Sequence, residues 1–518
     1  LSSSSAASDV YKRQQICIMI SIVVYLVAMV MIGVIYSKKT KNVGDFYLGG
    51  RKLGPLVTAM SAEASDMSSY LLMGLPGLAL VSGLAEVGWT VIGLAIGTYL
   101  NWLIVAKKLR KYSARINAIT IPDYFSKRYK DNSRLIMAVA ALMIIIFFVP
   151  YTASGFAACG KLFGTLFGID YHIAMVVSAI VIVGYTSLGG FNAASMTDFI
   201  QSIIMTAALI IVLVFGVNKA GGMEQVIANA NDLAGYLDVF KGYDAATNSA
   251  GSFGAIKVVS TLAWGLGYFG MPHILLRFMA IENPNKVKIS RRVAEIWVVI
   301  SMAVAVLIGV VGMAMVKEGA LPAFDDSETI IIQIATLLSK VGVVPALLAG
   351  IILAGILAST MSTADSQLLA ASSAASENII GGLFRIKLNE TSQMIVARVT
   401  LIAISVIGVI IAWDSNSSVF GIVSFAWAGF GAVFGPVMLL SLFWKRSNRY
   451  GALAGMVVGG IMVFVWKYAI AKLGGIFDIY ELLPAFICGL LVNVIVSLIT
   501  PKPDDEIVEV FDELKHNK

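Results

Sequence analysis

Charged residues are scarce in this chain. Asp, Glu, Lys and Arg together make up 13% of its 518 residues, whereas soluble domains carry about 25%, so an ordinary soluble protein is excluded. Cysteine and histidine are rarer still, with three of each. The cysteines have no metal-type spacing, and the chain contains no HExxH, Walker-type or nucleophile-elbow motif. The sequence therefore predicts no disulfide framework, no zinc site and no enzymatic centre.

Apolar residues dominate what remains. They form 58% of the chain, and the mean hydropathy is +0.85, values typical of a polytopic membrane protein whose main partner is the lipid bilayer. The formal net charge of +7 does not indicate nucleic-acid binding. The basic residues cluster at the ends of apolar runs, where the positive-inside rule accounts for them. No obligate protein partner is indicated.

Thirteen apolar runs are long enough to cross a bilayer. They lie at 16–37, 55–81, 86–106, 135–160, 171–188, 198–217, 254–276, 293–316, 341–376, 394–413, 419–444, 451–471 and 482–500. We expect a non-native or disordered leader over 1–15 and a membrane domain over 16–500 with its core at 55–444. A solvated, partly disordered acidic tail is expected over 501–518.

Basic residues alternate between rich and poor loops. The loops after the first, third, seventh, ninth and eleventh runs are rich in Lys and Arg, and the intervening loops hold few. On these boundaries Arg128 and Arg277 belong to the rich group and Lys161 to the poor one. The positive-inside rule then predicts an external N-terminus and a cytoplasmic C-terminus in a bacterial plasma membrane.

The stretch 61–77, SAEASDMSSYLLMGLPG, interrupts the second apolar run with polar side chains. An ionised side chain in hydrocarbon costs roughly 2.5 kcal/mol or more, so Asp66 is a functional candidate. The serines, with Gly74 and Pro76, predict a local break in the helix whose freed carbonyls can bind a cation. A surface loop with a chance acid is the alternative, which the apolar flanks on both sides disfavour.

A second break is predicted in the seventh run, at 264–280, WGLGYFGMPHILLRFMA. Three glycines and Pro272 within eight residues would strain a continuous helix. Interrupted helices in two halves of a chain are typical of inverted-repeat transporters with a midplane site. Trp264 and Tyr268, four residues apart, would share a helical face and could wall an apolar substrate. An interfacial aromatic belt is the alternative interpretation.

The ninth run carries small, oxygen-rich residues at helical spacing: Gly355, Ser359, Ser362, Thr363 and Ser366. Such a face suits either a sodium ion, which prefers several oxygen ligands, or close helix packing. The sixth run begins near Asp198, which is either a gating residue or a helix N-terminal acid stabilised by the macrodipole.

Five ordered motifs extend through the chain: GDFYLGGRKLGP at 44–55, ASDMSSYLLMGLPG, YTASG at 151–155, WGLGYFGMPHILLRFMA, and MSTADSQLL at 361–369. Together they resemble the sodium/proline symporters of the solute:sodium symporter family, over essentially all of 16–501. The resemblance implies an all-α polytopic membrane protein with about 13 transmembrane helices. Its core would be a five-plus-five inverted repeat (LeuT-like), with one helix before and two after.

The resemblance also implies roles for individual residues. The implied sodium site consists of the carbonyls of Ala64, Met67 and Ser359 and the hydroxyls of Ser362 and Thr363. Asp66 corresponds to an acid needed for sodium-coupled uptake, and Arg51 and Asp198 match sensitive coupling or gating positions on the inner side. The implied substrate pocket contains Ser68, Ser69, Tyr151, Trp264, Tyr268, Met271 and Pro272.

The activity that this resemblance implies is secondary active transport, in which inward sodium movement drives L-proline uptake by alternating access. Three residues depart from the family pattern near the implied pocket: Ser69 and Tyr70 replace Gly-Trp, and Met271 replaces Gln. Alternatives are a sodium symporter of the same family for another amino acid or pantothenate, or a membrane solute sensor. The tail over 501–518 is expected to be too short for a signalling domain, which disfavours the sensor.

Overall fold

The protein is built from helices. The computed structural model describes residues 2–38, 43–386 and 389–516. Within these residues the α-helices are α1 (Ser2–Ser37), α2 (Val43–Leu48), α3 (Pro55–Ser69), α4 (Leu75–Ser82), α5 (Leu84–Leu100), α6 (Lys107–Arg115), α7 (Ile121–Arg128), α8 (Leu135–Phe167), α9 (Tyr171–Lys219), α10 (Met223–Asn231), α11 (Ala255–Leu262), α12 (Pro272–Ala280), α13 (Val287–Lys317), α14 (Ile330–Ser339), α15 (Val343–Ser373), α16 (Glu390–Ile411), α17 (Val419–Phe443), α18 (Arg449–Val465), α19 (Leu482–Ile499) and α20 (Asp505–His516). Strands β1 (Lys241–Asp244) and β2 (Ser249–Ser252) form an antiparallel hairpin between α10 and α11.

Ten helical stretches in the described part of the chain are long and apolar enough to cross a membrane. The predicted runs 55–81, 171–188 and 254–276 are not among them, because each is broken, bent or short. Helix α9 continues through two predicted runs and bends at Gly190 (φ 64°, ψ −168°). The multi-pass helical class is confirmed, while the count of thirteen spans stays a prediction.

The predicted break in the second run is confirmed. Ser68 has φ 49° and ψ −167° inside α3, a conformation that costs a residue with a side chain on the order of 1 to 3 kcal/mol. Its hydroxyl accepts a hydrogen bond from the backbone N–H of Tyr70 at 3.1 Å, and a π-helical turn, Tyr70–Gly74, then leads into α4. The polar stretch therefore contains both the deviation and a side chain that stabilises it.

The second predicted break is also confirmed. The chain leaves α11 as a 3-10 helix, Ala263–Gly270, and passes through an extended Met271 (φ −74°, ψ 108°). Pro272 then occupies the first turn of α12, where its missing N–H would have had no helical partner. The glycines allow this tight segment to lie against its neighbours. A Cβ added to Gly97 of α5 would lie 2.3 Å from the Gly265 carbonyl oxygen.

Helix α15 lies at the centre of the molecule, in contact with α1, α3, α8 and α9. Small residues allow this close packing: a Cβ on Gly355 would lie 2.6 Å from the Ala208 methyl group, and one on Gly350 would lie 2.6 Å from Ser21. Backbones can approach closely only where side chains are this small. The oxygen-rich part of α15 is thereby held against the first break.

The two ends of the chain differ from expectation. The tail was expected to be partly disordered, but residues 505–516 form α20, with Ile507 and Phe511 buried. The helix is amphipathic, and Glu513 lies 3.1 Å from Arg115 of α6, so it packs on the bundle. Helix α1 begins at Ser2 and includes most of the expected leader. The non-native origin of 1–15 stays a prediction.

Candidate functional site

The first break and α15 meet at a cluster of oxygen atoms. The Ser362 hydroxyl donates to the Ala64 carbonyl at 2.8 Å and lies 3.2 Å from the Ser359 carbonyl. The Thr363 hydroxyl also donates to the Ser359 carbonyl, at 3.1 Å. Four of the five predicted sodium ligands are therefore brought together. The fifth, the Met67 carbonyl, accepts the N–H of Tyr70 at the end of α3.

The cluster has the chemistry of a site for a hard monovalent cation. Its members are 0 to 3% exposed, and they offer neutral carbonyl and hydroxyl oxygens, which suit such an ion. Among the described residues no group of three His, Cys, Asp or Glu side chains could hold a metal ion. Any ion bound here would therefore be held largely by neutral ligands, with nearby acids supplying the negative charge.

Asp66 lies two residues beyond Ala64 and is one of the acids that can supply that charge. Its carboxylate oxygen Oδ2 accepts a hydrogen bond from the Tyr268 hydroxyl at 2.7 Å, and its backbone carbonyl accepts one from Tyr151 at 3.2 Å. Oδ1 is buried and has no hydrogen-bond partner within the described residues. A buried carboxylate with a bare oxygen favours the approach of a cation. Asp66 thus links the cluster to the second break.

Trp264 and Tyr268 are both buried, but the predicted shared face is wrong. The segment is a 3-10 helix, where residues i and i+3 eclipse and residues i and i+4 do not. Tyr268 therefore points to Asp66, while the Trp264 ring packs against Tyr480 at 4.9 Å between centroids. Both rings contact Trp427, at 6.4 Å and 5.0 Å respectively, so they still line one region.

Polar atoms are available where the sequence departs from the family pattern. The hydroxyls of Ser69 and Tyr70 are buried and have no hydrogen-bond partner among the described residues. The Tyr70 ring stacks on Trp264 at 5.8 Å and on Phe420 at 5.8 Å. These groups can face a bound solute. Met271, in contrast, is fully buried at the start of α12 and adds no strong hydrogen-bonding atom.

Asp198 belongs to a buried ion pair that contacts α3 at Ser61, three residues before Ala64 of the oxygen cluster. Its Oδ2 accepts from Arg277 Nη2 at 2.9 Å and from the Ser61 hydroxyl at 2.7 Å. Arg277 Nη2 also donates to Ser366 at 2.6 Å, so the network joins α3, α9, α12 and α15. Asp198 lies two turns beyond the bend at Gly190, so the helix N-terminal explanation is not supported.

Arg277 was assigned to a basic loop, and this assignment is wrong. The side chain is 1% exposed and lies within α12. The predicted seventh run ended at residue 276, four positions before α12 ends at Ala280. An arginine in the apolar sequence HILLRFMA was the available signal, because charged residues inside membrane helices are usually paired and functional.

Arg51 connects α6, the loop that follows α6, and α12. It has φ 58° and donates to the Ser113 carbonyl at 3.0 Å, the Met279 carbonyl at 2.8 Å and the Ala118 carbonyl. Burial, with a smaller effect from nearby Arg110, lowers the pKa of Arg51 to about 10. These bonds support a positioning role for Arg51 and do not involve the oxygen cluster.

Two further buried groups were missed as site residues. Glu63 Oε1 accepts from the Trp102 indole at 2.8 Å, and its Oε2 has no partner within the described residues. Lys161, expected in an external loop, is 8% exposed in α8 and contacts Glu328 at 2.8 Å. Glu328 in turn accepts a hydrogen bond from the backbone N–H of Phe420 at 2.9 Å. It thereby caps the start of α17, where the Phe420 ring packs against Tyr70 and Trp264.

Two interrupted helices, the first of which meets α15 at a buried oxygen cluster, are typical of a secondary transporter of the inverted-repeat class. A Na⁺-coupled sialic acid symporter, solved substrate-bound and outward-open, has a similar fold, with a TM-score of 0.76 at 19% identity over 94% of this chain and 99% of its own. A nucleobase-cation-symport-1 family transporter in a closed conformation gives 0.56 at 14%, over 91% and 99%. The LeuT-like fold is confirmed.

The model of the sodium:solute symporter family matches residues 46–459, and the chain belongs to this family. It is 42% identical to the osmoregulated proline transporter OpuE of Bacillus subtilis, over 94% of this chain and 95% of the relative. Identity to the high-affinity proline transporter PutP of the same organism is 41%, over 94% and 98%. Identity to the sodium/proline symporter of Escherichia coli is 38%, over 96% and 95%. The protein is a multi-pass transporter and not an enzyme.

Proposed function

We propose that the protein couples inward sodium movement to the uptake of L-proline by alternating access. The observation that carries this proposal is the contact between the Ser362 hydroxyl and the Ala64 carbonyl at 2.8 Å, because it joins the first break to α15. A sodium ion bound between these oxygens would take the place of this hydrogen bond, with the Ser362 O–H turned away and its oxygen facing the ion, and would gather the neighbouring carbonyls. The relatives named as proline transporters, which match nearly the whole chain, support the choice of solute.

Coupling arises because the ion and the solute both depend on the first break. Sodium neutralises the charge of Asp66 and fixes the residues that follow it, including Ser68 and Ser69. The Tyr268 hydroxyl donates a hydrogen bond to Asp66 at 2.7 Å. Fixing Asp66 therefore also fixes Tyr268 in the second break. Proline then binds an assembled pocket between the two breaks. An ion can shift a conformational equilibrium only by such a difference in affinity between states.

The energetics allow concentrative uptake. An inside-negative potential of ~100 mV contributes about 2.3 kcal/mol per charge, and a tenfold sodium gradient adds about 1.4 kcal/mol. One sodium ion per solute would then support roughly 500-fold accumulation. This requires the orientation that the loop charges predict, in a bacterial plasma membrane, with the N-terminus outside, the C-terminus in the cytoplasm, and the transporting domain at 16–500.

Uptake of labelled L-proline into vesicles that contain the purified protein tests the proposal. We expect accumulation with an inward sodium gradient and little with a proton gradient or none. Equal uptake driven by protons without sodium would contradict the ion assignment.

A second candidate solute is favoured by one observation. The hydroxyls of Ser69 and Tyr70 have no partner among the described residues, so the pocket can satisfy a solute more polar than proline. Another amino acid or pantothenate would then be carried by the same sodium mechanism. Competition against labelled proline by amino acids and pantothenate distinguishes the two, because the true solute inhibits at the lowest concentration.

A further inference from the structure

An aromatic residue near the C-terminus contacts the second break from outside the predicted core. Tyr480 lies in the connection between α18 and α19, beyond residue 459, where the family match ends. Its ring stacks on the Trp264 ring, with 4.9 Å between the centroids and 18° between the planes. The other rings that pack against Trp264 in the described residues are farther away and more steeply inclined. Tyr480 is therefore the closest aromatic neighbour of Trp264 in this part of the chain.

Hydrogen bonds fix Tyr480 at its backbone and at its hydroxyl. The backbone N–H donates to the Ser260 hydroxyl at 2.7 Å, and Ser260 lies on α11, four residues before Trp264. The Tyr480 hydroxyl donates to the Ser424 carbonyl of α17 at 2.6 Å. Packing and hydrogen bonds of this kind hold a side chain in one orientation. Tyr480 thus connects α11 and the second break to α17.

The contacts of Trp264 divide into those that depend on the first break and those that do not. Tyr70, which stacks on Trp264 at 5.8 Å, follows the first break, whose order depends on sodium in the proposed mechanism. The hydrogen bonds and the ring contact of Tyr480 instead involve α11, α17 and the second break. Within the described residues, none of them reaches the oxygen cluster. The Tyr480 contact therefore orients Trp264 whether or not an ion is bound.

We infer that Tyr480 is a positioning residue for the solute site and that it acts through Trp264. The inference rests on the proposed function, in which proline binds between the two breaks, beside Trp264. A stacked ring holds the Trp264 indole in place before the solute arrives, so less conformational freedom is lost when proline binds. Loss of this support should weaken proline binding and leave the affinity for sodium unchanged.

Binding of labelled L-proline to the purified full-length protein at saturating sodium tests this role. Tyr480→Phe keeps the stacked ring and removes the bond to Ser424, so the proline concentration for half-saturation should rise about fivefold. Tyr480→Leu also removes the stacking, and the rise should reach about tenfold to a hundredfold. The sodium concentration for half-saturation, measured at saturating proline, should stay at its wild-type value in both variants. Equal weakening of both affinities would indicate a general structural defect and overturn the inference.

A double variant tests whether Tyr480 acts through Trp264. In a Trp264→Leu background, the further change Tyr480→Leu should have little effect, because residues that act through one contact are not additive. Fully additive losses would overturn the inference. Tyr468→Leu is the matched control, because Tyr468 belongs to the same C-terminal region and packs against Phe425 and Phe464. This variant should bind proline like the wild-type protein.

The outcomes separate this inference from the proposed function. A wild-type protein that binds no proline in the presence of sodium would contradict the proposed function and, with it, the role of Tyr480. Sodium-dependent binding in the wild-type protein, with unchanged proline affinity in both Tyr480 variants, would contradict only the role of Tyr480. An equal loss in the Tyr468 control would do the same. If Tyr480→Leu does not fold, the loss of about fivefold expected for Tyr480→Phe still decides the question.

Discussion

At the scale of single residues, replacing the hydroxyls of Ser362 and Thr363 distinguishes an ion-binding role of this part of α15 from a role in helix packing alone. Losing one oxygen ligand costs on the order of 1 to 3 kcal/mol. Ser362→Ala and Thr363→Ala should therefore each raise the sodium concentration for half-maximal uptake by about tenfold to a hundredfold. Ser359→Ala is the matched control, because its hydroxyl donates to Ile356 of its own helix at 2.8 Å. Unchanged sodium dependence of uptake in both test variants would contradict the sodium site and leave helix packing as the role of these residues.

The Tyr268 hydroxyl provides a second residue-scale prediction. Tyr268→Phe keeps the ring but removes the hydrogen bond to Asp66, and bonds to charged groups contribute about 1.5 to 3 kcal/mol. The proline concentration for half-maximal uptake should rise by about tenfold or more. Tyr236→Phe is the control, since its hydroxyl bonds the Ala79 carbonyl at 2.7 Å, away from the oxygen cluster. Equal affinity in both variants would remove Tyr268 from the pocket.

At the scale of elements, the contact between α5 and the second break depends on glycine. Gly97→Ala would drive a methyl group into the Gly265 carbonyl, and overpacking of this kind costs about 1 to 3 kcal/mol. We expect a lower thermal unfolding temperature and weaker proline binding. Gly88→Ala on the same helix meets only Val239 at 4.0 Å, so it should be neutral or slightly stabilising. Similar behaviour of both variants would contradict this packing.

The Asp198–Arg277 pair lies at the centre of a network that joins four helices, and it makes a distinct prediction. Removing one partner of a buried pair costs about 3 to 5 kcal/mol, so Asp198→Asn and Arg277→Met should each lower the unfolding temperature clearly. The double variant should recover part of that stability while transport stays impaired. Glu282→Gln, in an exposed pair with Lys286 at 2.6 Å, should change little. Additive losses in the double variant would show that the two side chains do not interact energetically.

At the scale of the whole molecule, the sequence predicted the features that depend on local chemistry. Both breaks were predictable, because glycine, proline and serine act on the backbone that carries them. The importance of Asp66 was also predictable from local sequence. A carboxylate within an apolar run is costly in free energy, so it usually has a function. Small residues at helical spacing likewise predicted the face of α15 that meets α3.

Features that depend on distant partners could not be predicted. Trp102 bonds Glu63 across 39 positions and Lys161 contacts Glu328 across 167, and no local pattern marks either pair. The prediction for Trp264 and Tyr268 assumed an α-helix, in which residues four apart share a face. The segment is a 3-10 helix, so the two side chains point in different directions. The acidic composition of the tail indicated solvation, but its apolar residues at 507 and 511 contact the bundle and order α20.

The central claim is that sodium completes the proline site by joining the first break to α15. Binding of labelled L-proline to the purified protein across sodium concentrations tests it most directly. We predict that sodium raises proline affinity, and that proline raises sodium affinity by the same factor, as linkage requires. Ser362→Ala should shift this dependence to higher sodium, with proline affinity largely recovered at saturation, and Asp66→Asn should nearly abolish it. Proline affinity that is the same with and without sodium would contradict the account.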